Sequence, residues 1–406
     1  MNRSTNEPEL RRRALAVLAK PFPRLLRNSS TGIQEQSPWF FTDGRGCRLT
    51  TADGRNFLDL EMGRGPNLLG YRPPELEPIT SLGSGIPHAS LLSAIEIETA
   101  ERLVNFFPCA EKVVFSKNGS DACSGAVRIA RTLTGRDLVL SSGFHGFHDW
   151  CAAKYPWVTG GIPRVYGELV KTFDLNDIQT LERLAGEYPH NFAAIIVEPA
   201  HHALPDPGFL PACRRIADEH GAVLIFDEVV TAFRLNRGGA QVHYGVTPDL
   251  ACLGKAMANG EAISAIVGRA EVMRGLEQTY FSMTFQNDNR VFAVAQRCLD
   301  LLWDGKATAS VNENGESLRR AFDSAAARHG MPHRAIGFAG RLDLIFAPLG
   351  ENTILEQERR FAEVLIQRGV LPTRSLFACA GMKEEDLRQA RDAFEGGMAA
   401  VAHGNR

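Results

Sequence analysis

Short, almost wholly apolar runs constrain this chain more than any other feature. They are Lys112-Val113-Val114-Phe115, Leu138-Val139-Leu140, Ala193-Ala194-Ile195-Ile196-Val197 and Ala222-Val223-Leu224-Ile225-Phe226. A strand that is apolar at consecutive positions must be buried on both faces, and the helical patterns between the runs supply the cover. The pattern predicts an α/β fold with a mostly parallel central sheet. Ahead of it, Asp53-Gly54 lies between Cys47-Arg48-Leu49-Thr50 and Asn56 through Leu60, a hairpin signal, and Trp39-Phe40-Phe41-Thr42 reads as a further strand. A helix is expected from about Glu7 to Lys20, ended by Pro21 and Pro23. Beyond Trp303 the pattern turns to mixed α+β. The expected layout is a small domain built from residues 1–75 and 306–406, with a large α/β domain at 76–305. A chain of 406 residues with 44% apolar content can bury cores of that size.

Charge and cysteine usage narrow the function. A formal net charge of −2 leaves no electrostatic footprint for nucleic acid or an anionic membrane. Arg11-Arg12-Arg13 reads as a solvated helix face. The eight cysteines are scattered without a Cys-x-x-Cys pair, which fits free thiols in a reducing compartment better than disulfides or zinc. No run reaches transmembrane length, and the N-terminus lacks the apolar core of a signal peptide. The expectation is a soluble cytoplasmic protein with no nucleic-acid or membrane partner and no metal site.

The run Ala222 to Phe226 stops at Asp227-Glu228, and Lys255 follows in Leu253-Gly254-Lys255-Ala256. An apolar strand ending in acids is also how a magnesium-binding Walker B strand looks. That reading requires Gly-x-x-x-x-Gly-Lys-Ser/Thr, but Asp249 stands where the first glycine belongs and Ala256 follows Lys255. The pattern suits a lysine that forms a Schiff base with pyridoxal phosphate (PLP), with an ordinary surface lysine after a loop as the competing reading. An acid would keep the pyridine nitrogen protonated so that the ring acts as an electron sink.

Two further segments supply what such a cofactor needs. Phe115 through Ala122 follows a strand and opens a helix whose face is Ala122, Ala126, Ile129, Ala130 and Leu133, ended by Gly135. Gly119 in such a junction presents backbone N–H groups and the positive end of the helix dipole to a phosphate. Ser120 either adds its hydroxyl or merely caps the helix. Phe144-His145-Gly146 lies just past the strand at Leu138, where open α/β sheets bind ligands. Phe144 is a ring neighbour or a core residue. His145 admits a catalytic or metal role, but His145-x-x-His148-Asp149 lacks ligand spacing on a helix, and His201-His202 reads as loop. Gly63-Arg64-Gly65 and Gly83-Ser84-Gly85 lack the third glycine of a dinucleotide fingerprint.

Several long blocks now occur in one order: Val114 to Ala130, Thr134 to Asp137, Phe144 to Gly146, Ile195 to Pro199, Leu224 to Arg234, Gly238 to Gln241 and Tyr244 to Lys255. This order resembles the class III, fold type I PLP-dependent aminotransferases, and among them the glutamate-1-semialdehyde 2,1-aminomutase branch. The resemblance spans roughly Trp39 to Leu302. It implies that Lys255 holds PLP and shuttles protons, and that Asp227 pairs with the ring nitrogen. Gly119 and Ser120 would bind phosphate, Phe144 would stack on the ring where relatives carry tyrosine, and Val229 would touch the ring. Thr284 would reach the phosphate of a neighbouring subunit, which implies a homodimer with its sites at the interface.

Departures from the family fall near substrate. Asn118-Gly119-Ser120-Asp121-Ala122 replaces Ser/Thr-Gly-Thr-Glu-Ala, a conservative change. Gln286-Asn287-Asp288-Asn289 stands for Ser-Gly-Asn-Pro. Gly63-Arg64-Gly65-Pro66 replaces the aminomutase's Ser-Trp-Gly-Pro. The resemblance therefore implies an aminotransferase with glutamate as the expected donor. Its acceptor would be a specialised aldehyde or ketone, such as an oxidised sugar or a secondary-metabolite intermediate. An aminomutase and a non-catalytic PLP-binding protein are the alternatives. Glu61, Arg64 and Glu198 are candidate substrate contacts, with a structural ion pair the competing reading for the first two.

Overall fold

The computed structural model describes residues 6–19, 33, 35–81, 87–155, 160–348 and 353–403. The chain forms two compact units, the described parts of Met1–Pro74 with Ala309–Arg406, and of Glu75–Thr308. The first helix covers Glu7–Val17, with Arg11 bonded to Glu7 and Arg12 to Glu9. Lys20, Pro21 and Pro23 lie outside the described residues, as does Gly83-Ser84-Gly85.

In the first unit, β1 (Phe41–Arg45), β2 (Arg48–Thr51) and β3 (Asn56–Leu58) form an antiparallel sheet in that order. The turn at Asp53-Gly54 joins β2 to β3, with Thr50 opposite Asn56. β1 is displaced from the expected Trp39–Thr42 and runs into Asp43-Gly44-Arg45. Pairing with β2 overrides the poor strand propensity of those residues. A Cβ on Gly44 would lie 2.8 Å from Leu49, so glycine lets the neighbouring side chains close over the backbone.

The second unit holds β4 (Lys112–Ser116), β5 (Leu138–Ser142), β6 (Val170–Thr172), β7 (Phe192–Val197), β8 (Val223–Asp227), β9 (Leu250–Leu253) and β10 (Ser264–Gly268). They make a seven-stranded sheet in the order β4-β10-β9-β8-β7-β5-β6. Strands β6, β5, β7, β8 and β9 are mutually parallel, and only β10 runs against its neighbours β9 and β4.

Alternate residues of this sheet feed two cores. Val139, Ala194, Ile196, Val223, Ile225 and Cys252 pack on one face against the helix Gly119–Thr134. Leu138, Leu140, Ile195, Val197, Leu224 and Phe226 pack on the other against the helices Ile178–Glu187 and Phe209–His220. Each fully buried large apolar side chain contributes about 1.5–3 kcal/mol. That is why these strands tolerate no polar residue until their ends. The chain finishes in the first unit with β11 (Arg334–Phe338), β12 (Arg341–Ile345) and β13 (Ser375–Leu376), a small antiparallel sheet, and the helix Glu384–His403.

Candidate active site

Sheet direction gathers the polar residues. Register pairs Ser142 with Val197, Val197 with Phe226 and Asp227 with Cys252, so β5, β7, β8 and β9 end along one edge. β4 runs in the direction of β9 and ends at that edge too, with Ser116 opposite Ser264. Phe144 and His145 follow β5, Glu198 follows β7, Asp227 ends β8, Lys255 follows β9, and Gly119 and Ser120 follow β4. Carboxyl ends of parallel strands are where such sheets bind ligands.

Asp227 is 4% exposed, and both of its oxygens accept hydrogen bonds. Oδ1 takes the Val229 N–H at 3.1 Å, and Oδ2 lies 2.8 Å from His145 Nδ1. A carboxylate only accepts, so Nδ1 carries the proton. Burial pushes His145 below the usual imidazole range, assisted by the Lys154 cation and opposed by Asp227. The ring is thus a neutral donor, stacked parallel to Trp150 with centroids 6.3 Å apart. Its Nε2 has no hydrogen-bond partner among the described residues. Cys123, His145 and Asp227 place ligand-type atoms within 4.8 Å of one another, but the histidine–carboxylate hydrogen bond accounts for the contact between two of them.

Lys255 opens a short 3₁₀ turn, Lys255–Ala258, with φ +44°, a conformation that a side chain with a Cβ rarely adopts. Gly254 before it leaves room for Ser264, whose Oγ would lie 2.7 Å from an added Cβ. Burial pushes the Lys255 ammonium down, against the pull of Asp227 and Glu198 and with the push of the buried Arg234. An amine that releases its proton easily is the form that attacks an aldehyde.

The helix Gly119–Thr134 begins beside this pair, with Asn118 as its N-cap residue and Gly135 in the left-handed region at its end. Asp121 accepts the Asn118 N–H at 2.9 Å. Ser120 therefore sits inside the first turn and is not the cap. The leading N–H groups of a helix lack intrahelical acceptors and attract anions. Close packing shapes the cradle. A Cβ on Gly119 would lie 2.8 Å from Val229, and one on Gly146 would lie 2.1 Å from Ser120 Oγ.

Phe144 is 50% exposed, a flat apolar wall at the mouth of the sheet. Glu198, expected as a substrate contact, is buried, and its Oε2 accepts the Phe144 N–H at 2.7 Å. Thr284 is exposed in the turn at 284–287. Glu61 and Arg64 belong to the first unit, where Arg64 Nε lies 3.6 Å from Glu61 Oε1. Their turn is held by Asp59, which accepts the N–H groups of Glu61 and Met62, and it carries positive φ from Met62 through Gly65. Sequence reasoning missed His145 as the partner of Asp227. It also missed Lys154 and Tyr155, which carry no motif.

A lysine of lowered basicity, a buried acid, the start of a helix and a half-exposed aromatic ring follow strands that end at one sheet edge. The family model for class III aminotransferases matches residues 31–371, and the chain belongs to that family. The 3-aminobutyryl-CoA aminotransferase of Cloacimonas acidaminovorans (strain Evry) is 30% identical over 387 residues, covering 93% of this chain and 92% of the relative. The 2'-deamino-2'-hydroxyneamine transaminase of Streptomyces kanamyceticus is 32% identical over 335 residues, covering 82% and 83%. Among solved structures, the PLP internal aldimine form of the FumI protein of Sphingopyxis sp. MTA144 superposes with a TM-score of 0.89 at 27% identity, over 98% of this chain and 97% of that one. The fold is the fold type I PLP-dependent transferase fold, and the chain is a PLP-dependent aminotransferase. The residues present fit the cofactor. Glycines at 119 and 146 open the cradle that a Cβ would fill, and Asp227 is oriented by two donors.

Proposed function

We propose that this aminotransferase moves an amino group from a donor, with glutamate the expected one, to a specialised aldehyde or ketone. When bound, PLP supplies an electron sink and a carrier for the amino group. Lys255 Nζ holds the cofactor and moves a proton at the substrate carbon that gains or loses nitrogen. Asp227, oriented by His145 and the Val229 N–H, keeps the ring nitrogen charged. Gly119 and Ser120 would take the phosphate, Phe144 and Val229 would contact the ring, and Glu198 holds the Phe144 N–H. The observation that carries this reading is the buried Asp227–His145 pair at the same sheet edge as Lys255.

The relatives at 30% and 32% identity bear transaminase names, which favours transfer between two molecules over transfer within one. The aminomutase structure from Pseudomonas aeruginosa PAO1, at 18% identity, shares the fold alone. An acceptor such as an oxidised sugar or a secondary-metabolite intermediate suits the altered Gly63-Arg64-Gly65-Pro66 segment, with Glu61 and Arg64 as candidate contacts. The exposed position of Thr284 suits a homodimer in which it reaches the partner's phosphate site. Among the described residues no helix is long and apolar enough to cross a membrane. All eight cysteines are buried free thiols, which suits the reducing cytoplasm expected for this chain.

A panel of amino donors, scored by the loss of the cofactor's aldehyde-form absorbance, tests the reading. Glutamate or another donor should discharge it in the wild type and none in Lys255→Ala. Conversion of glutamate-1-semialdehyde without any donor would instead establish the mutase.

A further inference from the structure

One peptide group in the second unit is gripped at both ends by groups of opposite charge. The Gly143 carbonyl accepts from Lys154 Nζ at 2.7 Å and from the Tyr155 hydroxyl. The N–H of the same peptide, on Phe144, donates to Glu198 Oε2 at 2.7 Å. We propose that Lys154, with Tyr155 and Glu198, is a positioning device that fixes the plane of the Gly143–Phe144 peptide and thereby the pose of the Phe144 ring against the cofactor. This rests on the reading of Phe144 as the ring wall.

The charges match the peptide dipole, with a cation at its oxygen and an anion at its hydrogen. Rotating the peptide by half a turn would set the oxygen against the carboxylate and the N–H against the ammonium, so it is opposed at both ends. Hydrogen bonds with one ionised partner are about twice as strong as neutral ones. Glycine at 143 makes the grip possible. Its φ is +99°, and a Cβ there would lie 2.8 Å from Glu198 Oε2. The Tyr155 ring also lies beside the Phe144 ring, with centroids 5.7 Å apart.

Lys154 is anchored from behind. Its Nζ donates to Ser141 Oγ at 2.6 Å, and Ser141 is fully buried, so this contact places the ammonium and activates no nucleophile. Burial lowers the ammonium to about 8, against the pull of Cys151, Glu198 and Asp227. Closing a strand end does not require a desolvated cation, because a water or a neutral side chain satisfies a carbonyl. A lysine held there at that expense is explained by what it orients.

Four variants test the device: Lys154→Met, Lys154→Arg, Tyr155→Phe and, as reference, Phe144→Ala. The readouts are PLP affinity of the apoprotein by fluorescence quenching, the induced circular dichroism of the bound cofactor, and the apoprotein melting midpoint. Lys154→Met should weaken PLP binding about tenfold and diminish the induced dichroism. Lys154→Arg should restore most of both, and the apoprotein midpoint should move little. Tyr155→Phe keeps the ring, loses one donor and should weaken binding about threefold, so it decides the matter if Lys154→Met does not fold. If Phe144→Ala alters affinity and dichroism while Lys154→Met and Tyr155→Phe match the wild type, the positioning role is wrong. If Phe144→Ala changes neither, the ring-wall reading fails, and the device falls with it.

Discussion

Replacing His145 with alanine removes the imidazole N–H that donates to Asp227 Oδ2 at 2.8 Å. The carboxylate then keeps the Val229 N–H on Oδ1, at 3.1 Å, with the weakly donating Cys123 thiol nearby. A hydrogen bond to a charged group is worth about 1.5–3 kcal/mol, and losing one partner in a buried place leaves the other's desolvation uncompensated. A carboxylate that has lost this donor is no longer held in one orientation, so it supports the charge of the ring nitrogen less well. At about 1.4 kcal/mol per tenfold, the half-reaction with a saturating donor should slow roughly 10- to 100-fold in His145→Ala. Alanine also leaves a void against Trp150, so His145→Asn is the control. Its amide nitrogen can stand where Nδ1 stood, restoring the donor while leaving the rest of the ring volume empty. Stopped-flow absorbance should put His145→Asn within about fivefold of the wild type, since the donor and not the volume carries the effect. Equal damage in the two variants, or a wild-type rate in His145→Ala, would refute the reasoning.

Other perturbations probe the remaining parts of the site. In Gly146→Ala the new Cβ would stand 2.1 Å from Ser120 Oγ and 2.9 Å from Ser120 Cα, so the start of the helix must move. The preference for PLP over unphosphorylated pyridoxal should shrink at least about tenfold, and an unchanged preference would dismiss Ser120 as a phosphate contact. Burial places the Lys255 titration below 10.5, so labelling of the apoprotein amine by trinitrobenzenesulfonate, with Lys255→Ala as blank, should reach half its maximal rate below that pH. The unfolded chain holds this proton more tightly, so the Lys255 penalty is full below its folded value and fades as pH rises toward 10.5. On the proposed homodimer with shared sites, the Thr284→Arg and Lys255→Ala proteins should each be inactive. Mixing them under subunit exchange should recover roughly a quarter of wild-type activity, because a heterodimer joins one intact lysine to the partner's intact threonine. No recovery, with exchange verified by mass, would count against a shared site.

The chain alone determined the sheet and the identity of its chemistry. Continuous apolar runs of four or five residues, rich in Val and Ile and set between helical patterns, are too short for buried helices and read as strands covered on both faces. Lys255, Asp227 and the Gly119-Ser120 turn are local signals that can be picked out without coordinates. Less visible were β9 and β10, short strands rich in small residues that take their structure from neighbours, and β1, which pairs through Asp43 and Gly44 despite their propensities. Tertiary structure decided how the signals combine. His145 and Asp227 are 82 residues apart, and Phe144 and Glu198 are 54 apart. Parallel register at one edge brings each pair within hydrogen-bond distance, and no periodicity in the sequence encodes that closure. Lys154 is the sharpest case. In the sequence it is an ordinary lysine, and it acquires an orienting role only because burial makes its charge costly while Glu198 and Asp227 offset part of that cost and the Gly143 carbonyl fixes its direction.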